Sequence, residues 1–389
     1  MPGNIMTFGA LLGTIRNFSF DHTMPIRVLH IIGSLGLGGA QRCLKQIIEY
    51  NNDPAIEHYV YPLRSQPLAI PIQGNVIQLN YPHYDPRKFF AIFSLCRKYN
   101  IDIIHAHLHK PALAALLARY FMTTPVVVHE HGSIAIEGFQ YSLYRTLLKI
   151  LRRQARLYIA VSNSVAKDLE RCSSIPRRSI KVVYNAVDTK TFTFDPYKRK
   201  SFRDQLGITD SDIVIGYAGR LSYEKGPDIL LDAFAELIKK NPAFLLVFAG
   251  DGNMEKSLHA RAAVFGIGHR VKFLGFRQDI ADVLNIFDIG CIPSRREAFG
   301  LAAIEMMSMK IPVIASHVGC FGEILTDRQN ALILKANTPA HICQSILQLV
   351  EDADLRQHLT ANASSYVQQF SVPELVSQIH NIYRQITGK

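Results

Sequence analysis

Short β-branched and apolar runs alternate with helical patterns along this chain, and that alternation admits few folds: it marks parallel sheets joined by crossover helices. In the first half the expected strands are residues 26–32, 75–79, 102–106, 125–129, 157–161 and 179–184, with helices between them such as 41–50 and 86–99. The pattern stops after Asn185-Ala186-Val187-Asp188, where the polar, basic stretch 189–200 reads as an interdomain linker. It restarts with expected strands at 212–218, 243–249, 271–274, 288–292 and 311–315, and the tail 338–386 is helical. An α/β architecture of two Rossmann-like domains facing each other across a cleft follows, with ligand expected at the carboxyl ends of the strands. The expected domains are 24–195 and 196–370, with 371–389 crossing back onto the first and 1–23 a loose extension.

The chain has 389 residues, too many for one ordinary core. No apolar run approaches the roughly 20 residues needed to span a bilayer. The six cysteines are scattered, which favours reduced thiols in a cytoplasmic protein over a disulfide or zinc framework. The net charge of +11 is unevenly placed: residues 136–200 hold 14 Lys and Arg against 5 Asp and Glu. Basic balance alone does not make a nucleic-acid binder, and the block lacks interleaved stacking aromatics.

Residues 291–319 carry the densest chemistry. An apolar strand breaks at Pro293-Ser294 and gives way to a helix whose first turn is expected at Phe299-Gly300-Leu301. Glu297 precedes that helix and Glu305 lies in its second turn, so free amides at a helix N-terminus sit between two acids. An anion site flanked by acids suits a nucleotide-linked sugar, with hydroxyls on the acids. A second loop, Gly219-Arg220-Leu221-Ser222-Tyr223-Glu224-Lys225-Gly226, puts two cations after a strand, where Arg220 can hold a diphosphate bidentately and Lys225 as a point charge. The glycine-rich turn from Gly33 to Gln41, with Gly38 and Gly39, lets backbone approach a ligand, with a plain tight turn as the alternative.

His105, His107, His129 and His131 alternate around two strand ends, with Glu130 between the last pair. The spacing resembles a metal site but lacks a third ligand at zinc spacing, so the expectation is imidazoles at the cleft edge, bonding a sugar hydroxyl or phosphate, and no metal. The acid pairs Asp210/Asp212 and Asp352/Asp354 read as turn or capping residues. Arg145, Lys149, Arg152, Arg153 and Arg156 recur at helical spacing, with Leu143, Leu147, Ile150 and Leu151 on the opposite face. That helix suits either an anionic membrane surface or an ordinary domain surface with its charges in water.

Taken in order, these residues resemble the motifs of the retaining glycosyltransferases of family four, which have the GT-B fold. The resemblance rests on Gly38-Gly39-Ala40-Gln41, His131-Gly132, Val161-Ser162, Asn185-Ala186-Val187-Asp188, Gly219-Arg220-Leu221 with Lys225-Gly226, Gly250-Asp251-Gly252, and Glu297-Ala298-Phe299-Gly300 with Glu305. It implies that Arg220 and Lys225 bind and stabilise the departing diphosphate, Glu305 the ribose and Glu297 the transferred sugar. It further implies that the amides of Phe299, Gly300 and Leu301 contact sugar and phosphate, that His131 lies near the anomeric carbon, and that Gly38 and Gly39 line the phosphates. The family needs no metal or other cofactor and takes a nucleotide-diphosphate sugar, UDP- or GDP-linked, as co-substrate. Ala186, Lys310 and Cys320 each stand where the family usually has glycine. The resemblance thus implies transfer with retention to a glycan or lipid-linked acceptor in surface polysaccharide or lipopolysaccharide assembly. The implied location is the cytoplasm, with the basic helix adding a peripheral place on the inner face of the plasma membrane. A sugar-nucleotide epimerase of the same fold and a non-catalytic nucleotide-sugar binder are the alternatives.

Overall fold

The computed structural model describes residues 25–36, 38–64, 72, 74–79, 85 and 87–389; the expected extension 1–23 lies outside them. Seven parallel strands form the first sheet: β1 (Ile26–Ile32), β2 (Ile56–Pro62), β3 (Asn75–Val76), β4 (Ile103–His107), β5 (Val126–Glu130), β6 (Ala155–Ala160) and β7 (Ile180–Val182), in the order β3-β2-β1-β4-β5-β6-β7. Six more form the second: β8 (Ile213–Ala218), β9 (Phe244–Ala249), β10 (Val271–Phe273), β11 (Ile289–Ile292), β12 (Val313–Ala315) and β13 (Leu332–Ile333), in the order β10-β9-β8-β11-β12-β13. Helices cover both faces, so the central strands are buried throughout or nearly so; every residue of β4, β5 and β9 is buried. In each sheet the strand order reverses beside the first strand, β1 or β8, and there the carboxyl ends open a crevice.

Two strands went unread in the sequence. β2 alternates buried Ile56, His58 and Val60 with half-buried Glu57 and Tyr59, because it lies near the sheet edge rather than in its centre. β13 is a two-residue edge strand, too short for a periodic signal. The expected linker is also partly helical. Asp195 accepts from the amides of Tyr197 and Lys198 at 2.9 and 3.2 Å and starts the helix Pro196–Gln205. That helix is held by ion pairs from Lys198 to Asp282 and from Arg199 to Asp288, both 2.6 Å, which leave no apolar stripe to read. The acid pairs behave as turn and cap residues: Asp352 caps the helix Ala353–Tyr366 through the Leu355 amide, and Asp212 accepts from the Thr209 amide.

The helix Val372–Thr387 returns to the first sheet, as expected. Its Val372, Leu375, Ile379 and Tyr383 share one core with Ile26 and Val28 of β1 and with Cys43 and Ile47 of the helix Gly39–Glu49. The two chain crossings between the sheets run side by side, the Val187 amide donating to the Phe370 carbonyl at 2.9 Å. Ile379 is fully buried there, so Ile379→Ala should cost about 3 kcal/mol through lost transfer energy and the cavity left behind. Urea unfolding followed by circular dichroism should show the lower-stability transition moving to less denaturant, and an unmoved transition would mean that this helix is not part of the first domain's core.

Candidate active site

Five loops converge at the carboxyl ends of β1, β5, β8, β11 and β12. After β8, buried Leu221 anchors the loop while Arg220 stays exposed, and a single 3-10 turn, Tyr223–Lys225, ends at Gly226. Gly226 has φ 67°, and a Cβ there would lie 2.1 Å from the Pro293 carbonyl oxygen, so only glycine lets the Lys225 loop close onto the end of β11. The amides of Arg295 and Arg296 donate to the Glu224 carbonyl at 2.8 and 3.1 Å, tying the two loops together. Arg295 also clasps Asp228 with two bonds of 2.8 and 2.7 Å and covers the Tyr223 ring. Lys225 thereby meets Glu297, its Nζ 2.8 and 2.7 Å from the two carboxylate oxygens.

Gly300 turns the chain into the helix Leu301–Ser308 at φ 88°, with Phe321 where a side chain would stand. The helix therefore starts two residues later than the sequence pattern suggests, and the amides of Phe299, Gly300 and Leu301 have no acceptor among the described residues. The Phe299 ring itself is buried against Tyr184 and Phe370, leaving only its amide to a ligand. Glu305, one turn into the helix, is buried and accepts a short hydrogen bond from Arg42 on the other domain. Burial pushes its carboxyl above the ordinary carboxylate range, and Arg42 acts against that push. Gly39 faces Leu301 so closely that a Cβ would approach its side chain to 3.2 Å; Gly38 is extended and packs on Gln41, which donates to the Ser34 carbonyl.

On the first domain, the histidines form a buried chain. His131 Nε2 meets His107 Nδ1 at 3.0 Å, His107 Nε2 meets His30 Nδ1 at 3.0 Å, and His30 Nε2 meets His58 Nδ1 at 2.9 Å. His129 stacks on His131, and His105 Nδ1 pairs with the Tyr383 hydroxyl at 2.6 Å. The expectation of imidazoles at the cleft edge is therefore corrected for His105, His107 and His129, which are wholly interior; His131 alone is half-buried. Two sets here could hold a cation, His30/His105/His107 and Cys43/His129/His131, each with its ligand atoms within 4.8 Å of one another. Glu130 is buried, bonded to the Tyr144 hydroxyl, and 3.5 Å from His109.

The family pattern for glycosyl transferases group 1 matches residues 198–366, and that for glycosyltransferase family 4 matches residues 37–191. The chain belongs to the group 1, family 4-type glycosyltransferases. HepE from Anabaena, solved with UDP-glucose, is 25% identical with a TM-score of 0.82, over 92% of this chain and 99% of that one, so the fold is GT-B. The N-acetyl-alpha-D-glucosaminyl L-malate synthase of Bacillus anthracis is 27% identical over 79% of this chain and 80% of its own. The D-inositol 3-phosphate glycosyltransferase of Corynebacterium aurimucosum is 28% identical over 75% and 73%.

In this glycosyltransferase the fold brings Lys225, Glu297, Gly300, Leu301, Glu305, Gly38 and Gly39 to one crevice, with the amide of Phe299. Two of its residues escaped sequence reasoning. Arg42 had one signal: a cation in the first turn of a helix opposes the macrodipole and needs a partner elsewhere. Glu323 accepts from the amides of Asn163 and Ser164 at 2.9 and 2.6 Å and from the Tyr184 hydroxyl at 3.1 Å, so one domain's acid caps a helix of the other. Arg145, expected on the charged surface, is half-buried and donates to the Ile134 and Ile136 carbonyls.

Burial lowers the pKa of His30, His58, His105, His107, His129 and His131, to about 3 for His58 and His131. The unfolded chain takes up protons below the ordinary value of 6.5 and the folded one does not, so stability is greatest above that value. It falls as pH drops toward the folded values, by up to about 1.4 kcal/mol per pH unit for each group. Glu130 and Glu305, raised by burial, act in the opposite sense but are only two. Urea midpoints should therefore decline steeply between roughly pH 7 and pH 5 with uptake of more than one proton on unfolding. A flat midpoint would rule out neutral buried imidazoles.

Proposed function

We propose that the chain transfers a sugar, with retention, from a UDP-linked donor to a glycan or lipid-linked acceptor in cell-surface polysaccharide or lipopolysaccharide assembly. The observation that carries the reading is the Lys225–Glu297 pair set beside unpaired helix amides and buried Glu305. A diphosphate would take the positive charge of Arg220 and Lys225 and the amides at Phe299–Leu301, while Glu305 would hold ribose hydroxyls and Glu297 those of the sugar. A UDP donor is favoured because HepE, a relative in fold and sequence, is solved with UDP and with UDP-glucose.

Reaction on the front face suits these groups. The bond from the anomeric carbon to the phosphate oxygen breaks, the acceptor oxygen bonds to that carbon on the same side, and the acceptor proton passes to the departing phosphate oxygen. The cations offset the charge that develops on that phosphate, so the step requires no metal. A double displacement would need a carboxylate nucleophile on the opposite side. Glu130, adjacent to His131 in sequence, is buried and committed to Tyr144, so it is unsuited to that role. His131, neutral at physiological pH, would serve as a hydrogen-bonding group beside the anomeric centre.

A thermal-shift screen over UDP- and GDP-sugars should stabilise the protein by about 2.7 kcal/mol when the right donor is present at 100 times its Kd. With that donor, Lys225→Ala and Glu305→Ala should each lower transfer by roughly 10²–10³-fold while circular dichroism is unchanged. Near-normal turnover in either variant would overturn the roles given, and isomerisation of the donor without an acceptor would point to an epimerase instead.

A further inference from the structure

Two groups of buried donors lie on the first domain, and they differ in how many of their atoms are already bonded. In His30/His105/His107, both ring nitrogens of His30 and of His107 serve the histidine chain, and His105 keeps only Nε2 free. A cation there would break hydrogen bonds between imidazoles. Cys43/His129/His131 is different. Both nitrogens of His129 and Nδ1 of His131 are buried without a partner among the described residues, and His129 is wholly interior. Cys43, 1% exposed and in no disulfide, brings a thiol to the same place from the helix Gly39–Glu49. One ligand atom from each of the three lies within 4.8 Å of the others. Unpaired imidazole nitrogens gathered with a thiol in the interior are destabilising unless something ligates them, and a cation does so. Spacing along the chain hides this set, because Cys43 reaches it from the helix after β1 and the two histidines from the end of β5.

We propose that Cys43, His129 and His131 form a site for one thiophilic d10 metal ion, Cu+ or Zn2+. A soft thiolate beside two imidazoles selects such ions over Mg2+, Ca2+ or Mn2+, which prefer carboxylate and carbonyl oxygens. Metal–nitrogen and metal–sulfur bonds of about 2.0 and 2.3 Å set the ligand atoms of a trigonal site about 3.5–4 Å apart. The donors therefore have to close in by about 1 Å, which small turns of the two imidazoles can supply. Charge favours Cu+. With one thiolate it leaves the site neutral, as an interior position requires, whereas Zn2+ keeps one positive charge and needs a fourth ligand. Burial pushes the Cys43 thiol up to about 12, so it is not ionised beforehand and the ion displaces its proton on binding. Bound through Nδ1, the ion would make Nε2 of His131 the N–H donor to His107. The bonds behind it would follow in turn, from His107 Nε2 to His30 and from His30 Nε2 to His58. The ion would also tie the helix that carries Arg42 to the end of β5, fixing two first-domain elements that border the crevice. Its role is structural, and the site stands whether or not the proposed transfer is right.

Metal titration of the full chain, stripped by chelator and kept reduced and anaerobic, tests it. Cu+ delivered from a competing chelator, and separately Zn2+, should bind at one ion per chain and raise the Tm, with Cu+ the tighter. Co2+ as a probe should give a thiolate-to-metal charge-transfer band in the wild-type protein, a readout that needs no variant. Cys43→Ser and His129→Gln should each weaken binding by more than about 100-fold, since loss of an outer partner alone costs about 10–100-fold. Cys96→Ser, at a buried cysteine outside the set, should bind like wild type. His30→Gln, which removes the competing set, should stay within about tenfold of wild type. Absence of binding by all three ions, a Co2+ complex without the thiolate band, or unchanged binding in Cys43→Ser would each overturn the site. So would binding lost in His30→Gln and kept in Cys43→Ser, which would move the ion to the other set.

Discussion

Carboxylates withdrawn from water need a partner, and in this fold buried Glu305 and half-buried Glu297 and Glu323 find theirs on a neighbouring loop or on the other domain. Glu297 is held by Lys225 from the neighbouring loop, Glu305 by Arg42 from the other domain, and Glu323 by the amides that open the helix Asn163–Ser173. The last is a structural weld: a negative group at a helix N-terminus, with a tyrosine hydroxyl and an asparagine amide on the same carboxylate. The first two are of another kind. Their partners are the cations Arg42 and Lys225, so each pair is a charge contact that an anionic group could compete for.

The Arg42–Glu305 pair has a particular consequence, because it joins the two sheets. Arg42 lies just past the glycine turn after β1, and Glu305 sits in the helix that follows β11. Any hydroxyl pair that takes Glu305 must share that carboxylate with Arg42 or displace it. Glu305 thus takes part in joining the two domains, as do Glu323 through the Ser164 amide and the paired crossings at Val187 and Phe370.

Much of this was legible in the sequence, for a physical reason. Parallel sheets impose long apolar strands and crossover helices, and ligand loops at strand ends concentrate glycine, acids and bases in short stretches. Gly226, Glu297 and Gly300 could be read because their backbone and charge requirements are local. Arg42, Glu323 and β2 could not. Arg42 and Glu323 act on residues 263 and 160 positions away, and β2 owes its alternation to its place near an edge. The helix Phe139–Leu151 misled in another way. Its spacing groups Leu143, Leu147, Ile150 and Leu151 on one face, but the buried face is made by Tyr144, Leu148 and Leu151, and Leu143 and Ile150 are left outside.

The histidine chain shows how interior polar groups can reach a surface site. Each neutral imidazole has one N–H and one bare nitrogen, so in the run His131–His107–His30–His58 every hydrogen bond points the same way along the chain. Reversing one ring's tautomer breaks a bond unless all four reverse together. Burial opposes protonation of any of them, which removes the alternative of a charged link. The ring nearest the crevice is thus held in orientation by three others behind it, and its remaining nitrogen is buried without a partner among the described residues. An imidazole fixed in this way is poorly suited to take up a proton at neutral pH and holds one hydrogen-bonding direction.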